Sequence, residues 1–128
     1  VTPGQGTKRT DLIALRAARL KHLVFESDGI LMRPFKSAEE IIDEGTALNH
    51  CVGGYCKRYG DGGTILCAIR RAEAPDTPWH TVEFSARTEI LIQCRGYDNK
   101  TKPEEKPLLD AFWAAFEEHR TKKARKSA

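Results

Sequence analysis

Residues 44 to 59, EGTALNHCVGGYCKRY, hold the greatest concentration of side chains able to do chemistry. His50 and Cys51 are adjacent and stand just ahead of Gly53 and Gly54, so an imidazole and a thiol sit on backbone that can turn tightly or let a ligand approach. A thiolate can attack a substrate and an imidazole can move its protons, which makes Cys51 and His50 candidate catalytic residues. Adjacency argues against a direct nucleophile and base pair, because neighbouring positions on a helix point about 100° apart. A base for Cys51 then comes from elsewhere in the chain. Glu83, a carboxylate between Val82 and Phe84 in a strand-like run, is the candidate; its alternative role is a cross-strand ion pair with Arg95 or Arg70. For His50 and Cys51 the alternative is a small buried residue beside a hydrogen-bonded histidine.

A second group could hold a ligand. Gln93, Arg95 and Asn99 combine two amides, which both donate and accept, with a guanidinium suited to planar anions such as phosphate. Arg70 and Thr81 join them if the strands alternate as their sequences imply, although turn duty explains Asn99 equally well.

Four cysteines do not assemble into a metal or disulfide pattern. Cys51, Cys56, Cys67 and Cys94 contain no C-x2-C pair, and Cys67 and Cys94 lie inside apolar runs where a free thiol acts as a small hydrophobe. A zinc set built on His50, Cys51 and Cys56 lacks a fourth ligand, so no metal and no cofactor are expected. Reduced thiols, the absence of a signal-peptide layout and the absence of a long apolar run together give a soluble, cytoplasmic expectation with no membrane partner. Val1 stands where a methionine would, as in a piece of a longer chain.

The elements that must position these residues follow from periodicity. With 128 residues there is room for one domain and one core, and a net charge of +3 gives only a weak pull toward polyanions. Residues 1–9 read as a flexible lead-in, 10–121 as the domain and 122–128 as a basic tail. Thr10 reads as the cap of a helix running to Val24. Ser27-Asp28-Gly29 reads as a turn, followed by an extended piece at Ile30. Ser37 and Glu40 match a capping box for a second helix that carries Ile41 and Ile42 inward and stops at Gly45; a third helix spans Thr46 to Tyr59. Strand composition covers Thr64 to Arg70, Trp79 to Ser85 and Glu89 to Arg95, and short links make neighbours antiparallel. A last helix begins near Pro107 with Leu108, Leu109, Phe112, Trp113 and Phe116 on its inner stripe.

The fold class is therefore α+β: a three- to four-stranded antiparallel meander with helices packed mainly on one face. Ile65, Cys67, Ile69, Val82, Phe84, Ile90, Ile92 and Cys94 form a clean apolar side for the helices to cover. Arg70, Thr81, Glu83, Gln93 and Arg95 collect on the other.

On these residues the sequence resembles the PcfJ-like family of conjugative plasmids, integrative elements and phages. The likeness runs from about Phe35 to Phe116 in four ordered blocks. Glu44-Gly45 precedes Leu48-x-His50-Cys51-Val52-Gly53-x-Tyr55; Gly63-x-Ile65 leads to Ile69-Arg70; then come Pro78-x-x-Thr81-x-Glu83 and Ile92-Gln93-x-Arg95-Gly96-x-x-Asn99. Cys56 lies outside the pattern. The resemblance implies a setting in mobile genetic elements and no particular reaction. Three functions follow as expectations: an accessory protein of such elements acting on or beside nucleic acid, with conjugation or phage proteins as further partners; an enzyme using Cys51 with His50 or Glu83; or a protein-interaction module whose motif residues only stabilise the fold.

Overall fold

The computed structural model describes residues 9–127. Residues 1–8, the greater part of the expected lead-in, lie outside them. Helix α1 spans Arg9–Arg19, so Thr10 sits within the helix, and a 3-10 turn at Lys21–Leu23 replaces its expected end. A hairpin follows, with β1 at Phe25–Ser27 and β2 at Ile30–Pro34. Its two-residue turn puts Asp28 at φ 50° and Gly29 at φ 77°, the left-handed pair that Asp-Gly supplies and that matches strand twist. The signal for β1 was thus in the turn, since a two-residue Asp-Gly link requires a strand on each side.

Helix α2 spans Ala38–Leu48, the short helix α3 Cys56–Gly60, β3 Ile65–Arg71, β4 His80–Phe84, β5 Leu91–Arg95 and the long helix α4 Lys106–Ser127. Among the described residues five strands pair antiparallel in sequence order, where the sequence suggested three or four. Cys67 lies opposite Val82 and Val82 opposite Cys94, so the alternation read from the sequence holds across the sheet centre. Among the described residues no helix is long and apolar enough to cross a membrane.

Helices cover both faces unequally. Among the described residues α4 is the helix that lies across β1 and β4 on the apolar side, with Phe112 and Phe116 against Phe25 and Trp113 edge-on to Phe84. The other three helices sit on the side that carries the polar strand residues, contrary to the expectation that they would seek the clean apolar face. The cause is pairing: Glu44 of α2 takes both Arg70 amino groups and the Thr81 hydroxyl, so these polar strand residues are buried with a partner.

Several local expectations change with the fold. Gly45 does not stop α2; Asn49, left-handed at φ 52°, does. Ser37 caps α2 by accepting from the Glu40 amide, whereas the Glu40 carboxylate turns to the Lys36 amide and Arg33 instead of closing the box. Ile42, Ile90, Ile92 and Leu108 are exposed rather than inward. For Ile90 and Ile92 the reason is the edge position of the last strand and a register shift between Glu83 and Phe84. The expected basic tail continues α4 to Ser127, with Lys122 paired to Glu118 one turn earlier.

Candidate functional site

The centre of the site is a tight reversal between α2 and α3. After the left-handed Asn49, His50 takes an extended conformation and the chain winds through a 3-10 turn, Cys51–Tyr55. The turn folds back onto α2 so closely that a Cβ on Gly45 would lie 3.1 Å from both the Gly53 amide nitrogen and the His50 carbonyl oxygen. Glycine at 45 is therefore a demand of backbone approach. The expected continuous third helix gives way because the segment must reverse to carry His50 over the sheet.

His50 caps this turn. Its Nδ1 accepts from the Val52 amide at 3.4 Å, which leaves the ring proton on Nε2 to be donated to Thr81 Oγ1 at 2.9 Å. The Thr81 hydroxyl then donates to Glu44 Oε2 at 2.7 Å. Arg70 completes the chain, its Nη1 and Nη2 reaching the two Glu44 oxygens at 3.1 and 2.6 Å. The Arg70 and Glu44 side chains are 3% and 0% exposed, so a bidentate ion pair buried under α2 anchors one end of the relay. Burial holds the His50 imidazole below its ordinary pKa, in keeping with the single-proton arrangement.

A second network runs beside the first. Glu83 accepts from Thr64 Oγ1 at 2.5 Å and from Gln93 Nε2 at 3.0 Å, with Arg58 Nη2 3.8 Å away. Arg95 Nε donates to Gln93 Oε1 at 2.6 Å, which fixes the orientation of that amide. The cross-strand ion pair of Glu83 with Arg95 or Arg70 is thus not formed. Glu83 sits opposite Gln93 in register, and Gln93 stands between it and Arg95.

Between the networks lies an open cavity of about 180 Å³. Leu66, Thr81 and Glu83, all buried, line it from the sheet; His50, Cys51 and Tyr55 line it from the reversal; Gln93, Arg95 and Asn99 line it from the far edge. Seven of the eight residues singled out in the sequence therefore meet at one place. Arg70 does not: it is buried on Glu44 and serves the cavity only through Thr81. Asn99 adopts the left-handed conformation at φ 61° that suits asparagine in a turn, and it also lines the cavity.

The thiols divide sharply. Cys51 is exposed at the cavity, whereas Cys67 is fully buried and burial pushes its thiol up; burial also pushes the half-buried Cys94 up to about 12. Cys56 is buried, its Sγ directed at the Gly53 and Ala38 carbonyls. Among the described residues no three His, Cys, Asp or Glu side chains come together as a metal site. His50 has both ring nitrogens engaged, so it is not poised to take a proton from Cys51.

Sequence reasoning gave no role to Glu44, Tyr55, Thr64 or Leu66. For Glu44 the signal was present: Ile41, Glu44 and Leu48 recur at helical spacing on the buried face of α2, and a carboxylate in such a stripe demands a partner.

Fold and cavity together define an α+β domain with an open pocket bordered by two hydrogen-bond networks, the one on Glu44 buried. Within that class the chain belongs to the PcfJ-like protein family, whose model matches residues 5–108. It is 28% identical over 110 residues to the Listeria innocua protein "Uncharacterized protein Lin1253/Lin1744", an alignment covering 84% of this chain and 24% of the relative. The chain thus spans about a quarter of that relative's length. No solved structure matches it.

Proposed function

We propose that this domain belongs to an accessory protein of mobile genetic elements that acts on or beside nucleic acid, and that its cavity is the binding site. The setting is taken from the family resemblance; the biochemical part rests on the cavity. One observation carries it: side chains from separate segments converge on an open pocket with one cation, Arg95, in its lining. Arg95 is exposed, and Arg58 lies beside Glu83 with its own side chain 59% exposed. Among the described residues Arg95 hydrogen-bonds through Nε, which leaves its terminal amino groups to face phosphate oxygens.

Titration of labelled single- and double-stranded DNA and RNA tests the reading. Binding should weaken steeply with salt as phosphate contacts displace counterions. Absence of binding at low ionic strength refutes it.

Exposure of Cys51 at the same cavity favours a second reading, an enzyme in which this thiol attacks the bound group. Against it stands the engagement of both His50 nitrogens, which leaves Glu83 as the base, already accepting from Thr64 and Gln93. Alkylation kinetics decide: a Cys51 thiol no faster than an ordinary exposed cysteine removes the covalent route.

A further inference from the structure

We infer that the cavity receives one unpaired nucleotide of a single strand and reads a base that carries an exocyclic amino group, with cytosine the best match. This rests on the nucleic-acid reading above and narrows it to a strand type and a base edge.

Size sets the first limit. The cavity of about 180 Å³ is slightly larger than the roughly 150 Å³ void that accepts one benzene ring. It admits a single ring with its substituents, and a stacked, paired base cannot enter such a recess without leaving its helix. Tyr55 and Leu66 supply the apolar surface that an inserted ring needs.

Charge is arranged in layers. The buried part of the lining holds the Glu83 carboxylate, and the exposed mouth holds the Arg95 guanidinium. A phosphate driven inward would meet Glu83, so the anionic end of the ligand stays at Arg95 and an uncharged end goes in.

Hydrogen-bond accounting then selects that end. Inside, Thr81 has spent its proton on Glu44 and His50 has spent its proton on Thr81, which leaves oxygen lone pairs. Each Glu83 oxygen accepts one hydrogen bond and has capacity for another. An interior with surplus acceptors wants a donor, and carboxylates accept from the amino group of cytosine. Thymine and uracil turn a carbonyl to the same place and are repelled.

The test is fluorescence anisotropy on the 128-residue chain with dC and dT oligomers of about eight nucleotides and a mixed-sequence duplex. The dC oligomer should bind about tenfold or more tighter than dT, as expected for one hydrogen bond to a charged group, and the duplex should bind more weakly than dC. Glu83→Gln should bring dC and dT within about threefold of each other. Arg95→Gln should weaken both together and lower the salt slope by about one. The unsubstituted chain decides the matter even if Glu83→Gln fails to fold. Equal affinity for dC and dT, or a duplex that binds as tightly as dC, overturns the inference and leaves nucleic-acid binding standing. No oligomer bound at low salt overturns both. Cytidine monophosphate that displaces dC at comparable concentration identifies a free nucleotide as the ligand, and its failure to do so identifies the strand.

Discussion

Replacing Arg70 by methionine tests the foundation of the site. Methionine keeps the length and packing of the stem but removes both guanidinium bonds to Glu44, whose side chain is fully buried. Glu44 is left with the Thr81 hydroxyl as its one described donor. Removing one partner of a buried ion pair costs about 3–5 kcal/mol, because the remaining charge stays desolvated and unpaired. For a domain of this length that corresponds to a fall in Tm of roughly 10–20 °C. The paired substitution Arg70→Met with Glu44→Leu should recover most of the loss, since no charge is then stranded. The cavity should nevertheless bind more weakly in the double variant, as Thr81 no longer has Glu44 to orient its hydroxyl. Urea denaturation of the four species gives the coupling energy directly. A single Arg70→Met variant within about 1 kcal/mol of the parent refutes the claim that this buried pair anchors the relay.

Other consequences are open to simpler assays. Gly96→Ala should destabilise by about 2 kcal/mol or more, read from the denaturation midpoint, because an added Cβ meets the His80 ring at 2.6 Å and the Lys100 carbonyl oxygen at 2.7 Å. Stability should fall as pH drops below about 6.5, ahead of the carboxylate range: burial holds both His50 and His80 below their ordinary pKa, so the unfolded chain takes up these protons first, at up to about 1.4 kcal/mol per pH unit for each. His80→Gln should flatten that slope, and a slope unchanged in this window contradicts it. Brief iodoacetamide treatment of the native chain should label Cys51 alone by mass spectrometry, with the other three cysteines reacting only after denaturation.

The antiparallel pairing of β3, β4 and β5, the alternation of their two faces and the aromatic stripe of the last helix were legible in the sequence, because period-two alternation and helical spacing are local properties. So was the grouping around one cavity of Thr81, Glu83, Gln93 and Arg95, which fall on one strand face, with His50 and Cys51 on glycine-rich backbone. Partnership was not. That Glu83 meets Thr64 and Gln93 instead of Arg95 or Arg70 depends on strand register and on how α3 lies over the sheet. That Arg70 is buried instead of facing a ligand depends on Glu44, 26 residues earlier in the chain, being carried over it by α2. Local pattern determines which residues can share a face. Only the closed tertiary structure decides which charges neutralise one another, because desolvation is set by everything packed above them.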